Sequence, residues 1–292
     1  MKEYHNPYKT ALDGLLIEDP VKSFFDFCKE RESIRKKREL GQSPPWSSDP
    51  IFQKGRFLNV FREHDRGSVS IIRFARNLKD ELPKLIHALF FCRWVNRQQT
   101  IDMLTSSDLS KFEELVKKLN ALQVWCNKTA YPVESIQWEG KTYQRFEAAS
   151  ELFYNIQAQL TKIIISSERC VVKATKNVNE KFKMKNDFPI FMAIMDIAWF
   201  RPDIINPGSN VPTGIGAVAY LNRLQNHLGL SNHKETFDRM IALQNSYWPE
   251  AERIFYPIDI EYISCECRKY FSYVNGTKSF KDKNLFIPNV NF

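Results

Sequence analysis

An all-α domain is the fold this chain predicts, on three observations. Apolar residues recur at i, i+3 and i+4 along most of its length. Helix starts and stops are marked by Asp-Pro pairs and a terminal glycine, as at Asp19-Pro20, Asp49-Pro50 and Gly41. The longest departure near the middle, residues 123–146 with Trp125, Tyr131-Pro132, Trp138 and Gly140, reads as a loop with a short hairpin. The 292 residues suffice for one large domain or two small ones with a real core. The expectation is a single helical domain over 1–292, parting, if at all, into lobes 1–165 and 185–292.

The elements follow in order. Asp19 caps a helix that begins at Pro20 and runs to Leu40, with Phe24, Phe25, Phe27, Cys28 and Ile34 on its apolar side. Its basic run Arg35-Lys36-Lys37-Arg38 reads as a solvated face, with phosphate contact as the alternative. A Pro/Ser loop covers 42–50. Asp49-Pro50 then opens a second helix carrying Phe52, Phe57, Val60 and Phe61. On that helix Arg56, Asn59, Arg62, Glu63 and Arg66 would occupy adjoining parts of one face; a surface laced with salt bridges is the bland alternative. Further helices are expected at 69–77, 82–96, 107–122 (capped by Ser107) and 147–165. Residues 166–187 are polar and lysine-rich and read as a connection and boundary. The apolar stretch 189–200 is a helix, and 208–226, 232–246 and 258–273 supply three more. No internal repeat is visible.

Composition excludes several classes. No apolar run reaches the roughly 18 residues that span a bilayer; the longest, 188–200, is broken by Asp196. The N-terminal MKEYHNPYKT lacks the apolar core of a signal peptide, so a cytoplasmic protein without a membrane partner is expected. The six cysteines are scattered without a CxxC pair, which argues against zinc and for reduced thiols in the core. The net charge of +8 favours polyanionic partners, nucleic acid above all.

Three stretches carry chemistry. Residues 43–68 pack Trp46, Asp49, Arg56, Asn59, Arg62, Asp65 and Arg66 among apolar neighbours, a density that suits an anionic substrate. Residues 211–224, VPTGIGAVAYLNRL, place Gly214-Ile215-Gly216 before a helix start. This reads as the second half of a helix-hairpin-helix, with glycines in left-handed angles and helix N–H groups turned to a DNA phosphate; a plain helix–helix turn is the alternative. Residues 258–270, IDIEYISCECRKY, gather Asp259, Glu261 and Glu266 with Arg268, Lys269 and Tyr270. A buried carboxylate there would have the raised pKa of a general base; an acidic first turn supported by the helix dipole is the bland account.

In this order the three stretches resemble the alpha-glutamyl/putrescinyl thymine pyrophosphorylase family. That group includes the helical domain of 5-hydroxymethyluracil DNA kinases and the amino acid:DNA transferases of bacterial viruses. The resemblance rests on Pro45-Trp46-Ser47-Ser48-Asp49-Pro50, on Arg56-Phe57-Leu58-Asn59-Val60-Phe61-Arg62-Glu63-His64-Asp65-Arg66, on Gly214-Ile215-Gly216, and on Glu261, Cys265, Glu266, Lys269 and Tyr270. It spans about residues 30–285. Where the family carries a Thr after the Asp-Arg pair, this chain has Gly67-Ser68-Val69. The chain contains no GxxxxGK[ST] loop, so the resemblance points to the stand-alone transferase type rather than the kinase.

The resemblance implies a fold similar to helix-hairpin-helix DNA glycosylases, two lobes around a cleft, acting on a base flipped from the duplex. It implies a single helical catalytic domain. The substrate would be double-stranded DNA carrying 5-pyrophosphoryloxymethyluracil. An amine donor, with glycine, glutamate and putrescine all open, would displace pyrophosphate to give a hypermodified thymine. On this reading Arg56, Arg62 and Arg66 hold pyrophosphate or the donor's carboxylate, Asn59 reads the base edge and Trp46 stacks on it. Asp65 and Glu261 are the candidate bases, with Glu266 in reserve. Gly214, Ile215 and Gly216 hold DNA phosphate, with Lys269 nearby. No cofactor is required; Mg²⁺ on the pyrophosphate stays open, without a dedicated ligand set. The alternatives are a base-excising hydrolase on the same fold, a non-catalytic DNA-binding module and an unrelated helical protein.

Overall fold

Asp19 sets the first helix. Its carboxylate accepts the Lys22 amide at 2.8 Å, and Pro20 fills the first turn. The helix α1 (Pro20–Glu39) runs until Gly41, at φ 68°, turns the chain away. The structure, a computed structural model, describes residues 17–127 and 135–280. The segment MKEYHNPYKT and the pair Tyr131-Pro132 lie outside the described residues.

After α1 come α2 (Pro50–Lys54), α3 (Arg66–Ala75), α4 (Leu82–Val95), α5 (Gln98–Met103) and α6 (Phe112–Asn120). A hairpin pairs β1 (Ile136–Trp138) with β2 (Lys141–Tyr143) in antiparallel register, Gln137 opposite Thr142. The turn α7 (Arg145–Glu147) passes through a π-helical segment, Ala148–Leu152, into α8 (Phe153–Ile165). Then follow α9 (Val171–Phe182), α10 (Phe188–Phe200), α11 (Val218–His227), α12 (His233–Tyr247) and α13 (Pro257–Val274). The all-α expectation holds, and the hairpin, the only sheet among the described residues, lies within 123–146, where a loop with a short hairpin was expected. Among the described residues no helix is long and apolar enough to cross a membrane.

The chain groups into two compact units, residues 1–62 with 211–292, and residues 63–210. In the first, α1 packs on α11, α12 and α13. Phe24 and Phe25 of α1 meet Phe255, and Phe61 stacks on Trp248. A second aromatic group joins Phe27, Phe52, Phe57 and Tyr270. In the second unit α4 packs on α8 and α10, and Trp94 meets Phe153 edge-on at 4.8 Å. Asp196, the charge inside the apolar α10, has a physical reason there. It takes both arms of the buried Arg93 guanidinium, at 2.5 and 2.6 Å.

Four local expectations are corrected. The helix expected after Pro50 stops at Lys54, because Gly55 is extended (φ −81°, ψ 141°). Residues 56–61 contain no helix, and a short 3-10 turn follows at Arg62–His64. The apolar spacing of Phe57, Val60 and Phe61 is satisfied by a non-helical segment that buries all three side chains. Hence no single helical face carries Arg56, Asn59, Arg62 and Arg66. The polar stretch 166–187 is a helix, α9, packed on α8 and α10 inside the second unit, not a linker. The helix expected at 107–122 divides into a 3-10 turn boxed by Thr105 and Asp108, not Ser107, and α6. The helix expected from 208 begins only at Val218.

Candidate active site

Unit 1 assembles two adjoining groups of side chains around the non-helical segment 55–61. That segment cannot pair its backbone in a helix, so side chains from α1 and α13 take up its polar groups. The Leu58 amide donates to Glu266 Oε2 at 3.1 Å, and the Tyr262 hydroxyl donates to the Asn59 carbonyl at 2.6 Å. Arg31 of α1 donates to the Phe57 carbonyl at 3.3 Å and to Asn59 Oδ1 at 2.5 Å. Glu266 also receives Lys269 Nζ at 2.8 Å, and that ammonium lies 4.8 Å from the centre of the Phe57 ring.

The first group centres on Glu261, on the first turns of α13. Its Oε1 accepts the Gly214 amide at 2.9 Å. Arg62 is close enough to act on its charge, and its guanidinium lies 5.4 Å over the Tyr262 ring. Burial pushes the Glu261 carboxyl up to about 7, while the Gly214 amide and Arg62 pull the other way. A carboxyl so placed loses and gains a proton near neutrality. Gly216 closes the same contact. Its carbonyl accepts Arg268 Nε at 2.9 Å, and a Cβ there would lie 2.6 Å from Cys265 Sγ.

The second group is a pocket of about 330 Å³ between α1, the loop 42–49 and α2. The loop folds back because its polar atoms are tied. Trp46 Nε1 donates to the Gln42 carbonyl at 2.6 Å, and Lys37 Nζ to the Trp46 carbonyl at 2.7 Å. Asp49 caps α2 through the Ile51 amide at 2.7 Å and accepts the Tyr270 hydroxyl at 2.6 Å. Trp46, Phe52 and Phe57 supply aromatic wall, and Arg31 and Arg38 supply charge. The Arg38 guanidinium lies 5.2 Å over the Trp46 ring.

The sequence candidates therefore divide. Arg62, Glu261 and Gly214 come together, and Trp46 lines the pocket. Asn59, expected to read a base edge, accepts from Arg31 through its Oδ1. Glu266 and Lys269 pair with each other and hold the non-helical segment 55–61. Arg56 is exposed and makes no ion pair among the described residues. Asp65 is the N-cap residue of α3 and Arg66 its exposed first residue, and both belong to the second unit. The Gly214–Gly216 segment is not a left-handed hairpin, since neither glycine has positive φ. Its glycines are there for close approach to α13. The Gly214 amide is already given to Glu261, and Ile215 is half exposed at the tip.

Sequence reasoning missed Arg31 and gave Arg38 only an alternative role in the basic run. Of that run, Arg35 is bound to Glu32, Glu39 and Glu252. The spacing carried the signal: Arg31, Ile34 and Arg38 stand at i, i+3 and i+7, one face of a helix, and all three line the pocket. Among the described residues no group of three or more His, Cys, Asp or Glu side chains is disposed to hold a metal ion.

Fold and site define an all-α domain with an arginine-lined, aromatic-walled pocket beside a buried titratable carboxylate. The sequence profile of the family described as "5-hmdU DNA kinase, helical domain" matches residues 18–279. The chain belongs to that family, and so to the DNA-modifying enzymes of modified thymine. No curated protein and no solved structure matches it.

Proposed function

We propose that this domain is a transferase that replaces the pyrophosphate of 5-pyrophosphoryloxymethyluracil in DNA with an amine. The observation that carries the reading is Glu261, buried beside Arg62 and held by the Gly214 amide. An ammonium donor must lose a proton before its nitrogen can attack, and a carboxyl titrating near 7 accepts it at neutral pH. The nitrogen then bonds to the base's 5-methylene carbon. The carbon–oxygen bond breaks, and its electron pair leaves on pyrophosphate. Guanidinium groups offset the charge that gathers on that leaving group. The DNA partner follows from the family and from the net charge of +8.

The test is incubation with DNA carrying the pyrophosphorylated base and a panel of glycine, glutamate and putrescine, with and without Mg²⁺, followed by nucleoside mass analysis. An aminated thymine is expected from the native chain and not from Glu261→Gln. Release of a free base with an abasic site would make it a hydrolase instead. Salt-sensitive duplex binding with unchanged nucleoside mass would make it a binding module.

A further inference from the structure

We infer that the pocket between α1, the loop 42–49 and α2 is the seat of a planar pyrimidine bearing a phosphoryl group, with Arg31 and Arg38 as its anion clamp and Trp46 as its stacking wall. The inference rests on the reading above only for the identity of the base. The electrostatic case comes from the lining. Arg31 and Arg38 are both among the residues that line the pocket, and among the described residues no carboxylate lines it. In such a one-signed, aromatic-walled recess an anion gains attraction that water cannot screen well. A guanidinium is a planar fork that matches phosphoryl oxygens; on Arg31 the Nη2 arm is already bonded to the Phe57 carbonyl and Asn59.

The aromatic case comes from Trp46. Its indole is fixed by the bond from Nε1 to the Gln42 carbonyl, and Arg38 lies over its ring. A rigid indole is a sequence-tolerant surface for a base to stack on. The volume of about 330 Å³ falls at the small end of ligand pockets, where a single base with its substituent belongs. Arg31 is buried and set by Asn59 and the Phe57 carbonyl, so its direction is fixed before any ligand arrives. This moves the phosphoryl contact from the exposed Arg56 to α1.

The anion has two candidate sources, the substituent on the base or the phosphate of the nucleic-acid backbone. Calorimetric titration separates them with three probes: 5-pyrophosphoryloxymethyl-2′-deoxyuridine, 5-hydroxymethyl-2′-deoxyuridine and thymidine 5′-monophosphate. The first should bind tightest. Arg38→Ala should weaken it about tenfold or more, the loss of a hydrogen bond to a charged group, and change the uncharged nucleoside less than about twofold on the same basis. Trp46→Ala should weaken both. Arg31→Lys, which keeps the charge without the fork, covers the case in which Arg31→Ala fails to fold. Tighter binding of thymidine 5′-monophosphate, lost with Arg38→Ala, assigns the clamp to the backbone phosphate and overturns the assignment to the substituent. Native-like binding of all three probes to both Arg38→Ala and Trp46→Ala overturns the pocket. The transferase assay fails separately: probe binding without aminated product leaves the pocket standing, and product from variants with unaltered probe binding removes the pocket alone.

Discussion

The Gly214 amide donates to Glu261 Oε1 at 2.9 Å, and a Cβ added to Gly214 would stand 2.9 Å from that same oxygen. One glycine therefore both holds the carboxylate and leaves it room. Gly214→Ala must push the carboxylate away and stretch the bond. Product formation should fall about tenfold, the equivalent of one charge-assisted hydrogen bond, while the melting temperature drops only slightly, because the group displaced is a side-chain end. Rate and thermal unfolding measured together check this; an unchanged rate would remove Glu261 from the chemistry.

Glu261 also sets a pH dependence. A base must be deprotonated to act, so the rate should rise with pH and level off above about 7. Arg62 lowers that value, so Arg62→Met should move the rising limb to higher pH. Stability runs the other way. The unfolded chain releases this proton near the ordinary 4.5, the folded one near 7, so between them the folded state binds more protons. Stability should fall as pH climbs through that window, by at most ~3–4 kcal/mol, and stay level beyond it. Glu261→Gln should lack the fall. Denaturant titrations at pH 4.5, 6 and 8 check the sign.

Gly216 and Cys265 form a pair that a double-mutant cycle can isolate. A Cβ at Gly216 would lie 2.6 Å from Cys265 Sγ, and the short thiol side chain on a helix has little room to yield. Gly216→Ala should cost about 1–3 kcal/mol. In a Cys265→Ala background the cost should largely vanish. Equal cost in both backgrounds would place the penalty in the backbone of the segment instead.

In the second unit, Arg93→Met strands the Asp196 carboxylate on an apolar helix. The expected loss is about 3–5 kcal/mol. Combining it with Asp196→Leu should restore much of this, since an apolar pair of similar volume needs no partner charge. Chemical denaturation of the single and double variants decides it.

Much of this molecule can be read in the chain, and what cannot has a common cause. The start of α1 is local: Asp19 caps, Pro20 enters and Gly41 exits, all within reach of neighbouring residues. The fate of 55–61 is not local. Phe57, Val60 and Phe61 have helical spacing, but the backbone's partners are Arg31, Tyr262 and Glu266, the last two about two hundred residues away. Glu261 is legible as a candidate base from its place in the acid–base cluster 258–270 and from the family resemblance, and the structure adds that it is buried. The pocket is not legible, because the worth of Arg31 and Arg38 depends on a loop folding back over them. The Gly214–Gly216 segment misled through its composition: small residues serve close packing on α13 as readily as a turn.

Residues 63–210 form one uninterrupted stretch, while the other unit is assembled from chain on both sides of it. Arg31, Trp46 and Arg62 leave the ribosome before that stretch, and Gly214 and Glu261 after it. Domains tend to fold as they emerge, so the intervening unit can complete itself while the early arginines still await α13. The group around Glu261 is then completed only after residues 63–210 have emerged, and a nascent chain halted at residue 210 holds Arg31, Trp46 and Arg62 without Gly214 and Glu261. Assembly of the Glu261 group therefore requires that translation ran through α13.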